Sequence, residues 1–188
     1  MSLYFAYGSN MDVEAMLTRA PNSRPLCAAR LPRARFIIME GGYASFVRDP
    51  QRNVHGVLWD LALCDVRLLD RYEDVARGLY KKIQQPVLRD GGGSARALIY
   101  VGGSAARGEP HAGYMESVIA AARAWSLPES YIRELSTYSP RTNAGVAHPW
   151  RAPDGSSQAA SAQTASAPAR TGPAAKVRPR FATPFERS

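Results

Sequence analysis

The run Asp90-Gly91-Gly92-Gly93 stands between two segments of strand character, residues 80–89 and 96–101, and so predicts a hairpin in the second half of the chain. An isolated hairpin is at best marginal in water, so it needs further strands or helices to pack against. The rest of the chain supplies both. Residues 3–7, 26–39, 43–47 and 54–61 have strand character, with Pro32 predicted to interrupt the second of these. Residues 12–18, 62–74, 113–125 and 128–137 carry helical spacing. Asn10 or Asp12 is placed to cap the first helix, Pro21-Asn22 to stop it, and Pro128 to open the last. Strands in antiparallel-looking order with helices interspersed predict an α+β domain: a small curved or closed, mostly antiparallel β-barrel with flanking helices.

At 188 residues, 45% hydrophobic and 21% charged, the chain can bury a real core. Its composition changes near 146–150. Beyond that point Ala, Ser, Gln and scattered prolines replace large apolar residues, and such a segment cannot bury enough surface to offset its ordering entropy. Residues 1–145 are therefore expected to form the domain and 146–188 a disordered basic tail, with Phe181 and Phe185 as its few candidates for docking. The net charge is +8, half of it in residues 151–188, so the body carries only a mild positive charge, which would suit a small anionic substrate. Nucleic acid is not the expected partner. The longest apolar runs, such as residues 36–39 and 97–101, are far too short to span a bilayer. No secretory signal is visible at the N-terminus, and a cytoplasmic location is expected. Two cysteines, Cys27 and Cys64, rule out a disulfide framework and a Cys-rich zinc site.

Familiar catalytic patterns are missing. The sequence has no phosphate-binding or dinucleotide-binding glycine fingerprint and no Gly-x-Ser-x-Gly elbow. His55, His111 and His148 are scattered without ligand spacing. Two features remain. Tyr7-Gly8-Ser9-Asn10 follows the first strand and precedes a helix. It reads either as a plain strand-to-helix turn with an Asn cap, or as a turn whose free amides cradle an anion or oxyanion. The second feature is Glu73. In helical register it continues the stripe Ala62, Val66, Leu69, so a carboxylate lies on a face that should point inward. Burial, the negative end of the helix dipole and the nearby Asp70 would all oppose its ionisation, which makes Glu73 a general-base candidate. The alternative is a solvated Glu at a frayed helix end.

Taken together, these residues resemble the gamma-glutamylcyclotransferase family. Tyr4-Phe5-Ala6-Tyr7-Gly8-Ser9-Asn10-Met11 is similar to that family's opening signature. His55-Gly56-Val57-Leu58-Trp59, followed by Leu69-Asp70-Arg71-Tyr72-Glu73, is similar to its strand and catalytic-Glu helix. Gly78-Leu79-Tyr80, Tyr114 and Leu127-Pro128-Glu129-Ser130-Tyr131 follow in the family's order, so the resemblance covers roughly residues 2–140. Asp74 departs from it, since the family usually has glycine there. The resemblance implies release of 5-oxoproline from a small γ-glutamyl substrate, with no metal or cofactor. Glu73 would be the catalytic acid/base. Tyr4, Phe5, Ala6, Tyr7, Gly8, Ser9 and Asn10 would form the substrate-binding loop, and Tyr80 and Tyr114 would line the pocket. The amine half of the substrate stays open, as an amino acid or an amine. The competing expectation is a non-catalytic binding module of the same fold whose basic tail contacts nucleic acid or acidic lipid.

Overall fold

The computed structural model describes residues 2–139, and the predicted tail at 146–188 lies outside the described residues. Five strands, β1 (Ser2–Ala6), β2 (Arg24–Ile38), β3 (Ala44–Leu61), β4 (Tyr80–Arg89) and β5 (Ser94–Gly102), close into a barrel in the order β1-β3-β2-β4-β5. Every neighbouring pair is antiparallel except the closing one, where β1 runs parallel to β5 at Tyr4 and Leu98. Among the described residues four α-helices accompany it: α1 (Val13–Arg19), α2 (Val66–Tyr72), α3 (Tyr114–Ala124) and α4 (Glu129–Ser136). The expected α+β barrel is the fold that forms.

β1 explains why closure suits this sequence. Tyr4, Phe5 and Ala6 are buried on both faces of the strand, which requires pairing partners on both sides and cover above and below. Phe5, Phe36, Leu58, Trp59 and Ile99 fill the core, each fully buried and each contributing about 1.5–3 kcal/mol or more by leaving water. Gly56 of β3 has no side chain because the ring of Phe5 and the backbone of Ala6 occupy the space where one would go.

Two sequence expectations change in β2 and β3. Pro32 does not interrupt β2. The register shifts between Pro32 and Ala34, and Arg33 takes up the bulge with φ 58°. On the partner strand, Pro32 faces Asn53 while Ala34 faces Arg48, so residues 49–52 loop outward within one continuous β3 instead of separating two strands. Asp49 holds this excursion by ion pairs to Arg35 (3.4 Å) and Arg52 (3.8 Å), and Arg52 reaches Glu134 of α4 at 2.8 Å.

The segment 62–74, read as one helix, is a 3-10 turn at Leu63–Asp65 followed by α2. Fully buried Asp65 accepts hydrogen bonds from the Asn22 amide (2.9 Å) and the Ser23 hydroxyl (2.7 Å), and so staples the start of this segment to the entrance of β2. Asp12 caps α1 through the Ala15 amide at 2.8 Å, as its sequence position suggests. Among the described residues, no helix is long and apolar enough to cross a membrane.

Candidate active site

Glu73 terminates α2, its backbone amide donating to the Leu69 carbonyl at 2.8 Å. The stripe that carries Leu69 inward carries Glu73 with it, and the residue keeps only 8% of its surface exposed. Opposite stands Asn10, in the 3-10 turn Ser9–Met11 that follows β1. Asn10 is 4% exposed, and its Nδ2 donates both to Glu73 Oε1 and to the Tyr4 hydroxyl, each at 2.8 Å. Removal from water pushes the Glu73 carboxyl up to about 7, against the Arg19 guanidinium and the Asn10 amide, which hold it down. Asp70, expected from the sequence to push the same way, faces other partners. It accepts from Lys82 Nζ and from the Tyr100 hydroxyl, both at 2.8 Å.

Tyrosines surround the carboxylate. Tyr7 donates to the Tyr100 carbonyl at 2.7 Å, and the Tyr4 ring meets the Tyr100 ring edge-on. Tyr80 and Tyr114 grip the backbone of Ala44 from two sides. Tyr80 donates to the Ala44 carbonyl at 2.6 Å, and Tyr114 accepts the Ala44 amide at 3.1 Å. A Cβ on Gly8 would stand 2.9 Å from the Tyr114 hydroxyl and 3.2 Å from the Ala44 Cβ, so glycine here admits Tyr114 into the turn. Burial holds the phenols of Tyr4, Tyr7, Tyr80 and Tyr114 well above their ordinary value, and they remain neutral donors or acceptors at pH 7.

Residues 53–135 match the AIG2-like family. The human and mouse gamma-glutamylcyclotransferases are each 28% identical over 153 residues, which span 76% of this chain and 81% of those proteins. Among solved structures, one named gamma-glutamyl cyclotransferase superimposes with a TM-score of 0.70 at 25% identity, over 78% of this chain and 93% of its own. An uncharacterised human protein of known crystal structure gives the same TM-score at 26% identity, with the same coverage. The chain is thus similar in sequence and in fold to gamma-glutamyl cyclotransferases.

The stretch matched to the AIG2-like family includes Glu73, Tyr80 and Tyr114, while the turn at Tyr7–Asn10 precedes it. The barrel brings the two together. Of the residues expected to form the substrate loop, Asn10 bonds Glu73 directly, and Tyr4 is joined to it only through Asn10. Ser9 lies at the edge, its Oγ 3.4 Å from the Tyr72 hydroxyl, and Gly8 lies against Tyr114. Phe5 and Ala6 are core residues, the former stacked on Tyr7. Glu73 is buried, not frayed into solvent, and that removes the bland reading of its position.

Three neighbours escaped the sequence reading: Arg19, Tyr72 and Tyr100. Arg19, in the last turn of α1, donates to Ser9 Oγ at 3.2 Å and to Asn10 Oδ1, with its guanidinium 4.0 Å above the Tyr72 ring. The one signal available beforehand was its position at a helix C-terminus, shared with any well-placed cation. Among the described residues, no cluster of three or more His, Cys, Asp or Glu is arranged to hold a metal ion.

Proposed function

We propose that this protein releases 5-oxoproline from a γ-glutamyl amino acid or γ-glutamyl amine, with Glu73 as the general acid/base. The observation that carries the reading is a buried carboxyl, pushed by burial up to about 7 and held by a hydrogen bond from the Asn10 side chain in the turn after β1. The substrate's α-amine attacks its own γ-carbonyl. An N–C bond forms, closing a five-membered ring, and the amide C–N bond to the leaving amine breaks. Glu73 takes the proton from the attacking nitrogen and returns it to the leaving nitrogen, so the balance needs no water and no redox partner.

The raised value matters to that proton transfer. An α-ammonium group titrates near ~8, so moving its proton to an ordinary carboxylate would be uphill by roughly 5 kcal/mol. With the acceptor at about 7, the same transfer is uphill by only ~1.4 kcal/mol. Ring closure itself draws on effective molarities of about 10⁵ M or more, so holding the extended γ-glutamyl chain in a reactive bend supplies much of the remaining acceleration. The backbone amides of Gly8 and Asn10 are the natural donors for the oxyanion that develops on the γ-carbonyl, while the Ser9 amide faces the Tyr114 hydroxyl. Tyr80 and Tyr114 serve as walls of the site.

A panel of γ-glutamyl amino acids and γ-glutamyl amines, assayed for 5-oxoproline, tests the reading. At least one substrate should turn over, and Glu73→Gln should lower kcat by about 10²–10⁴ while the protein stays folded by circular dichroism. A folded Glu73→Gln protein that forms 5-oxoproline at near-parent rates would remove Glu73 from the chemistry.

A further inference from the structure

Asn10 bonds three groups through one amide, and two of them are ambivalent. The Tyr4 hydroxyl can donate or accept. Glu73 accepts when ionised and can donate when protonated. Either would tolerate the Asn10 amide turned end for end. Arg19 does not, because a guanidinium only donates. We propose that Arg19 is a positioning residue: by bonding Asn10 Oδ1 it fixes the amide with Nδ2 toward Glu73, and so holds the carboxylate ready as a proton acceptor. The proposal rests on the functional reading above for its catalytic meaning, though its geometry stands apart from it.

Arg19 is well held for such a role. It sits at the C-terminal end of α1, where a cation is favoured, with its guanidinium over the face of Tyr72 and a second bond to Ser9 Oγ. Among the described residues, no carboxylate lies within ion-pair distance of it. A direct pair with Glu73 would return that carboxyl to the ordinary range and weaken it as a base. With no cation nearby, burial would keep it protonated at neutral pH. One amide placed between the two gives the intermediate case. Facing Glu73 from the surrounding elements are the phenols of Tyr4, Tyr7, Tyr72, Tyr80, Tyr100 and Tyr114, all shifted upward and neutral, so Arg19 is the charge that acts on it. Asp70, on the same helix, is turned to Lys82 and Tyr100. Loss of Arg19 therefore acts twice in one direction. It removes the positive charge, and it frees the Asn10 amide to turn and accept a proton donated by neutral Glu73.

Carbon-13 NMR of the Glu73 carboxyl in the full chain, assigned by its disappearance in Glu73→Gln, reads this without needing turnover. In Arg19→Met the midpoint should rise by about one pH unit, and the acidic limb of kcat/KM for 5-oxoproline release should move with it. Arg19→Lys, which keeps the charge, should return the midpoint most of the way. If Arg19→Met fails to fold, Tyr72→Leu, which removes the ring beneath the guanidinium, should shift the midpoint in the same direction by a smaller amount. An unmoved Glu73 midpoint in folded Arg19→Met, or in folded Tyr72→Leu where Arg19→Met does not fold, overturns the proposal, even where activity falls. A shifted midpoint in a protein that releases no 5-oxoproline would uphold the positioning and refute the functional reading.

Discussion

Asp74 follows Glu73 in the left-handed region, φ 48° and ψ 43°, where an L side chain crowds the next carbonyl. The position is the first residue past the cap of α2, and its amide donates back to the Arg71 carbonyl at 3.2 Å. Helices end this way most readily on glycine, which gives a physical reason for the glycine usual at this position in the family the sequence resembles. Aspartate is among the few side chains that tolerate the conformation, so the substitution preserves the turn that presents Glu73. Its ion pair with Arg77, at 3.7 Å and largely exposed, adds little. Asp74→Gly is expected to match or exceed the parent in stability, whereas Asp74→Ala keeps a side chain without the local polar help. Urea unfolding should separate the two variants by about 1 kcal/mol in favour of glycine. Equal stabilities would mean that the strain at Asp74 is relieved elsewhere.

At the level of elements, legibility followed contiguity. The turn at Tyr7–Asn10, the cap at Asp12 and the hairpin at Asp90–Gly93 are local patterns, and each could be read because its partners lie within a few residues. From sequence, β2 reads as broken at Pro32 and β3 as two separate segments, residues 43–47 and 54–61. The barrel absorbs both breaks as a bulge, since β2 and β3 pair on both sides of it. Arg19, Tyr72 and Tyr100 were invisible because α1, α2 and β5 meet only through tertiary packing. The grip on Ala44 belongs to the same class of long-range feature, and it can be tested as one. Gly8→Ala pushes a methyl against the Tyr114 hydroxyl, and Tyr114→Phe removes that hydroxyl while leaving the buried Ala44 amide without its acceptor. Each single change should destabilise by about 1–3 kcal/mol. The double variant should be less damaging than the sum by at least ~0.5 kcal/mol, because the second change makes room for the first. Strict additivity in denaturant titrations would show that Gly8 is required for some other reason.

On the scale of the whole molecule, two questions concern stability. The composition of residues 151–188, six basic and two acidic groups among small residues, argues that they add little to the barrel. Deleting them should leave the calorimetric melting temperature and 5-oxoproline release unchanged within error. A large loss in either would make Phe181 and Phe185 the first positions to mutate. The second question is how one buried carboxyl sets the pH dependence of folding. In the unfolded chain Glu73 titrates at its ordinary 4.5, and in the folded protein near 7. The native state therefore binds this proton more tightly than the unfolded state. The stabilisation from that binding is complete below about pH 4.5 and is lost as pH rises through about 7. A shift of this size corresponds to roughly 3 kcal/mol. Glu73→Gln carries no proton to lose, so the variant's stability relative to the parent should climb by ~3 kcal/mol between those two pH values and run parallel outside them. Urea titrations of both proteins from pH 4 to 8.5 measure the difference directly, with the other titrating groups cancelling between them. Stability curves that stay parallel through the whole range would mean that Glu73 titrates like an exposed glutamate, and the general-base assignment would lose its physical basis.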